Sequence, residues 1–276
     1  MEPTISQRRI GAALKALRVR AGMSGSALAT ELGWSQASVS RTELGQRRIS
    51  VHDAIQWADA TRAPADARAE LLSLTEEAAR EVRSWWNVHA GGLARRQQEV
   101  ADLEARATRI SNYQLVVPGL LQTAEYAAGA LTLADVSGQG DIPAAVAARM
   151  RRQEILYDPS RQFDYVLPET ALHQRLAGPG GMRAQADRLL SLDSLPNVSI
   201  AVLPLTAAPP ILPSAGFVIY EVPDEPLVLI ETLTDELLFG GERELSAYRA
   251  AFDGMRRASV TGDEAHALIR SAMTGQ

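Results

Sequence analysis

Apolar positions recur at helical spacing in four short bursts over the first 62 residues, and each burst after the first opens on a residue suited to capping a helix. Ile10, Leu14 and Leu17 share a face. Ser24 precedes Leu28, Ala29 and Leu32; Ser35 precedes Val39; Ser50 stands three residues before Asp53, a capping-box-like start ahead of Ile55 and Trp57. Each predicted helix has only two or three turns, so none is stable alone and the four must bury their apolar faces against one another. Pro64 marks a break. Beyond it, the spacing of Leu71, Leu72, Leu74, Val82 and Trp85 predicts a helix over 65–88, and a second over 93–110 follows Gly91 and Gly92.

After Pro118 the pattern becomes an α/β mixture. Helices are predicted over 122–133, 143–157, 168–176, 181–194, 242–257 and 263–273, and strand-like runs over 162–167, 198–203, 216–222 and 227–231. Pro223, Asp224, Glu225 and Pro226 join the last two runs, a turn short enough for an antiparallel hairpin. The only compositionally biased stretches are the loops Ser137–Asp141 and Ala207–Pro213, and no repeat of fixed period is present.

Composition narrows the function classes. The chain has 276 residues, 46% apolar and 22% charged, which is ordinary for a folded globular protein and long enough for a small module beside a larger one. It has no cysteine, which removes disulfides, thiolate zinc sites and cysteine nucleophiles and fits a reducing compartment. Met1–Ile10 carries charge and Pro3 where a signal peptide needs an apolar stretch, and no run of ~18 apolar residues follows, so a cytoplasmic protein without membrane contact is expected. Every basic residue but Lys15 is arginine, a bias that reads as GC-rich codon usage. Residues 1–62 hold nine basic against five acidic residues, a surplus of four, leaving the remainder at −9 within a total of −5. A basic module on an acidic body suits a chain in which one domain faces a polyanion.

That module contains Gly25–Leu44, whose small residues fall where two crossed helices need them. Ala29 permits close approach, Gly33 supplies a positive φ at the turn, Ser35 caps the next helix and Val39 points into the core. The outward face then presents Gln36, Ala37, Ser40 and Arg41. Gln pairs with adenine, Arg with guanine and the Ala methyl touches thymine, each bidentate pair discriminating by ~1–3 kcal/mol. Arg47 and Arg48, with the helix-start N–H groups near Ser24 and Ser35, are placed to hold phosphates without reading sequence. The alternative is a helix-turn-helix used for protein contacts alone. Trp34 either lies against the DNA backbone or covers the small core, the second being the simpler reading, and His52 reads as a surface residue.

Ala-Thr-Glu-Leu-Gly (29–33) and Ser-Gln-Ala-Ser-Val-Ser-Arg-Thr-Glu-Leu-Gly-Gln-Arg (35–47) resemble the phage-repressor and Xre-like helix-turn-helix regulators. Thr42 stands where such families place an aliphatic residue, and Ile49 where a proline is common. In the body, Val-Pro-Gly-Leu-Leu-Gln-Thr-Ala-Glu-Tyr-Ala (117–127), Arg-Met-Arg-Arg-Gln-Glu-Ile-Leu (149–156) and Glu-Thr-Ala-Leu-His-Gln-Arg-Leu (169–176) occur in order, followed by Pro-Asn-Val-Ser-Ile-Ala-Val-Leu-Pro-Leu (196–205) and Gly-Phe-Val-Ile-Tyr-Glu (216–221). Over about residues 84–272 this order resembles the antitoxin-like C-terminal domain of actinobacterial helix-turn-helix regulators of the WhiJ-like group. The resemblance implies a transcriptional regulator, often encoded beside a small BldB-related partner protein that binds this body and alters DNA binding.

The expected architecture is therefore multidomain: an all-α helix-turn-helix domain over 1–63, a helical connector over 64–110 and a mixed α/β (α+β) regulatory domain over 111–276. A homodimer is expected from mechanism, because two modules ~34 Å apart on a twofold axis roughly double the specific contacts to an operator in double-stranded DNA. The body shows no convergent catalytic set, so no enzyme, cofactor or metal site is expected. Glu169 and His173 share a helix face but make only two ligands; His89 and His266 have no ligand pattern; Gly178–Gly181 lacks the Lys-Ser/Thr ending of a phosphate loop and reads as a helix C-cap. Arg149, Arg151 and Arg152 with Glu154 form either a solvated helix face or a contact for an anionic effector or acidic partner. Leu120 and Leu121 read as core beneath the Pro118–Gly119 turn, or as the lining of an apolar pocket in which Gln122 and Tyr126 meet a small-molecule effector.

Overall fold

The computed structural model describes residues 5–47, 49–78, 80–84, 91–138, 140–211, 214–223, 225–233 and 235–274. The chain divides into two compact units, Met1–Glu81 with Phe239–Arg243, and Val82–Leu238 with Glu244–Gln276.

The first unit consists of α1 (Ile5–Arg20), α2 (Gly25–Leu32), α3 (Gln36–Glu43), α4 (Val51–Ala60) and α5 (Ala65–Ala78). The three serines open α2, α3 and α4 as the sequence predicts. Ser24 accepts from Ala27 N, Ser35 from Ser38 N, and Ser50 and Asp53 complete a reciprocal capping box. Gly33 closes α2 at φ 67°, a conformation costly for any residue with a Cβ. Ile10, Leu14, Leu17, Leu28, Val39 and Trp57 meet in one core, and Trp57 Nε1 donates to Leu14 O at 3.1 Å. The close approach between α1 and the end of α3 depends on Gly11, since a Cβ there would lie 2.5 Å from Glu43 O. Thr42 is buried like the aliphatic residue it replaces because its hydroxyl donates back to Ser38 O at 2.8 Å.

The second unit is a mixed sheet covered on both faces. The strands are β1 (Arg80–Ser84), β2 (Arg109–Tyr113), β3 (Gln162–Pro168), β4 (Val198–Leu203), β5 (Phe217–Glu221), β6 (Leu227–Glu231) and β7 (Asp235–Phe239), in spatial order β1-β7-β6-β5-β2-β3-β4, and the division between the units falls within β1 and β7. β2, β3 and β4 run parallel, joined by helical crossovers, whereas β5 pairs antiparallel with both β2 and β6. The predicted β5–β6 hairpin is present, with Val218 opposite Leu229.

The helices are α6 (Leu93–Arg106), α7 (Ala124–Ala134), α8 (Ile142–Arg152), α9 (Glu169–Leu172), α10 (Pro179–Leu192), α11 (Glu242–Arg257) and α12 (Gly262–Thr274). One sheet face, carrying Ile110, Phe163, Tyr165, Ile200, Val218 and Tyr220, packs into the main core with residues of α10 and α12. Successive strand residues point to opposite faces, so Phe217, Asp164 and Glu221 meet α11 on the other side. There Phe217 meets Tyr248 with tilted rings at 4.9 Å, Arg249 pairs with Glu221, and Arg256 pairs with Asp164. Val260 bridges Val202 and occupies part of the outer edge of β4.

Several expected elements change. The helix predicted over 65–88 stops at Ala78, and Arg80–Ser84 forms an edge strand; Trp85 lies outside the described residues. The helix predicted over 93–110 stops at Arg106, because Arg109–Tyr113 is claimed as a strand by pairing with β3 and β5. Residues 64–110, read as a connector, divide between the units: α5 joins the first core through Leu71, and α6 belongs to the second unit. The helix predicted over 168–176 shortens to Glu169–Leu172. Gly178 precedes α10 with Pro179 in its first turn, so the glycine run opens a helix instead of closing one.

Candidate functional site

In the first unit, Leu28, Ala29, Val39 and Thr42 bury the inner faces of α2 and α3. Gln36, Ala37, Ser40 and Arg41 are all exposed on the outer face of α3, and the capping residues Ser24 and Ser35 are exposed as well. The sequence-derived reading face is therefore presented to solvent by a helix whose other side is fixed. Its C-terminal end is tied to α1 by Arg18, which makes two hydrogen bonds to the Glu43 carboxylate, at 2.5 and 2.9 Å, and a third to Met23 O. The first turn of α3 retains N–H groups without intrahelical partners, a positive pole suited to a phosphate.

Trp34 meets Trp57 edge-on at 5.9 Å, covering the core, and carries Arg47 over its outer ring face at 4.2 Å. The cation is thus held beside the helix-turn-helix by an aromatic platform. Arg48 lies outside the described residues. His52 is exposed, as expected of a surface residue.

The second unit holds a cavity of about 300 Å³ between the sheet and the helices α6, α7 and α8. Ile110, Asn112, Val218, Tyr220 and Leu229 form its floor, and the Val116–Leu120 segment, with Gly119, its side. Three of the four residues proposed for effector or partner contact meet here: Gln122, Arg149 and Arg152. Gln122 Oε1 accepts from Arg149 at 2.7 Å while its amide donates to Val117 O, so it positions the arginine. Tyr126 is the exception. It is fully buried in the core, outside the cavity lining, and its hydroxyl accepts from Val117 N at 3.3 Å, because Gln122 sits in the extended segment before α7 while residue 126 lies in the first turn of that helix and packs inward.

The helix period likewise separates the arginine cluster, leaving Arg151 and Glu154 in solvent and sending Arg149 and Arg152 inward. Burial and the adjacent Arg152 pull Arg149 down to about 10.

Periodicity alone does not reveal the polar face of α6. Arg96, Gln97 and Glu104 are all buried and line the cavity. Gln97 Oε1 accepts from both Arg149 and Arg152, at 3.0 Å each, Glu104 lies 3.4 Å from Arg152, and Arg96 is paired with Glu236. Burial pushes Glu104 up to about 7, against the pull of the three arginines. Arg96 Nε, Arg152 Nε, Glu104 Oε2 and Asn112 Oδ1 are buried without a hydrogen-bond partner. Elsewhere His266 contacts Asp193 at 2.8 Å and His173 approaches Glu169 at 3.8 Å, but no group of three metal-ligating side chains occurs among the described residues. His89 lies outside them. No described helix is long and apolar enough to cross a membrane.

A capped, glycine-turned pair of crossed helices with an exposed polar face defines the chain as a DNA-binding regulator of the helix-turn-helix class. Residues 9–71 match the family described as "Helix-turn-helix domain". Residues 97–271, the greater part of the chain, match "Domain of unknown function (DUF5753)", and the chain belongs to that family. No curated protein and no solved structure matches it.

Proposed function

We propose that the protein is a cytoplasmic, sequence-specific transcriptional repressor that inserts α3 into the major groove as a homodimer and receives a signal through its second unit. The observation that carries this reading is the solvent-facing set Gln36, Ala37, Ser40 and Arg41 on a helix locked from behind by Val39 and Thr42. Arg41 and Gln36 supply base-edge chemistry, and Arg47 and the helix starts at Ser24 and Ser35 supply backbone contacts. The order of motifs in the body supports membership of the WhiJ-like actinobacterial group, and with it a small BldB-related partner. The open cavity, apolar with a cluster of polar side chains, favours a second reading, in which the signal is a small-molecule effector. A non-enzymatic role is part of the proposal.

The test is selection of a preferred duplex from random DNA by the full chain. A selected duplex should bind ~10³-fold or more tighter than random duplex at physiological salt. Arg41→Ala should erase most of that preference, weakening the selected duplex far more than random DNA. No enrichment, or equal losses on both duplexes, would overturn the assignment.

A further inference from the structure

Arg149 is a half-buried cation held by neutral groups. Its guanidinium is held by the neutral side-chain oxygens of Gln97 and Gln122, and no carboxylate lies within ion-pairing distance among the described residues. Of the other cavity arginines, Arg96 is paired with Glu236, and Arg152 stands 3.4 Å from Glu104. Glu231 also lines the cavity but is 55% exposed, where water screens it. A charge partly withdrawn from water with only amide partners is costly unless an ion completes it.

Gly119 packs directly on this pair. A Cβ there would lie 2.7 Å from Arg152 Nη2 and 3.5 Å from Arg149 Nε, so the bare backbone leaves room for the two guanidiniums. Away from the arginines the lining turns apolar through Val218, Leu229 and Leu131, and on the floor Asn112 Oδ1 is an acceptor without a donor, as Glu104 Oε2 is on the wall. The opening is rimmed by Leu233, 73% exposed, and Val136, 43% exposed. The volume of about 300 Å³ is at the small end of sites that take organic ligands.

We infer that this cavity binds a small organic monocarboxylate carrying a hydroxyl or similar donor. The carboxylate completes Arg149 beside Arg152, the apolar body lies along Val218 and Leu229, and the donor satisfies Asn112 or Glu104. A single negative charge is enough for Arg149, whose hydrogen-bond partners are both neutral, whereas a phosphate dianion would set a second charge among the lining carboxylates Glu104, Glu231, Asp235 and Glu236. The inference deepens the effector reading of the second unit and depends on it.

The test uses the full chain without DNA. Thermal unfolding is followed in sodium acetate, butanoate, benzoate, para-hydroxybenzoate and para-hydroxyphenylacetate, each at matched ionic strength beside its primary amide. The hydroxylated acids should raise the midpoint of the second unit by about 5–10 °C at a hundredfold excess over Kd, with little response to acetate or to any amide. Arg149→Met should lose the response and raise the midpoint of the ligand-free chain, because it removes a half-buried charge that has no ion-pair partner. Ala130→Leu narrows the cavity without touching a charge and should lose the response while staying folded.

No shift with any acid, equal shifts with the amides, a less stable Arg149→Met chain, or an unaltered response in Ala130→Leu overturns the inference. A chain that selects a duplex yet ignores the acids refutes the ligand alone. One that responds to acids but selects no duplex refutes the DNA reading alone.

Discussion

Glu104→Gln isolates the cost of an ionised carboxylate inside the second unit. The side chain is 3% exposed, with Oε2 unpartnered, and its pKa is pushed from 4.5 to about 7 by burial. Because the folded-state value lies above the unfolded one, the folded chain holds an extra proton between pH 4.5 and about 7, and stability falls as pH rises through that window. At 1.36 kcal/mol per unit the full loss is about 3 kcal/mol, complete above the folded value and absent below the unfolded one. Glutamine mimics the protonated form at every pH. The variant should therefore match the parent near the acidic end and exceed it by up to about 3 kcal/mol at about pH 8. Urea unfolding of both chains across this range, followed by far-ultraviolet circular dichroism, measures the difference and cancels every other titration they share. A difference that does not change with pH, or a variant less stable than the parent above neutrality, would show that ionised Glu104 is needed by Arg152 and would refute the reasoning.

Arg47→Ala should weaken selected and random duplexes alike and reduce the slope of log affinity against log salt by about one, as measured by fluorescence anisotropy in a salt series. Gly11→Ala forces a Cβ against Glu43 O and should destabilise the first unit by about 1–3 kcal/mol while displacing α3, so DNA affinity at low temperature falls even where the chain remains folded. Trp57→Ala removes a fully buried ring and its bond to Leu14 O, and should cost about 3–5 kcal/mol in denaturant unfolding, confined to the first unit.

The first unit is legible in the sequence because its determinants are local. Ser24, Ser35 and Ser50 cap through atoms three residues away, Gly33 is needed for one backbone angle, and the period that buries Leu28 and Val39 also exposes Gln36 and Arg41. Gly11 escaped because its neighbour, Glu43 O, is distant along the chain. β3 to β6 are visible as apolar runs, whereas the sequence pattern continues as helix through β1 and into the start of β2, since a short mixed segment becomes a strand only when a partner edge is available.

The cavity was hidden for a related reason. A search for apolar stripes passes over the inner face of α6, where Arg96, Gln97 and Glu104 replace the expected aliphatics, and α8 gives no sign of which arginines turn inward. Sequence alone determined the capped helices, the exposed reading face and the alternation of helix and strand, all set within a few residues. Tertiary structure alone decided that Arg149, Arg152, Gln97 and Glu104 line one cavity, because the balance of charge there depends on which distant side chains reach the same space.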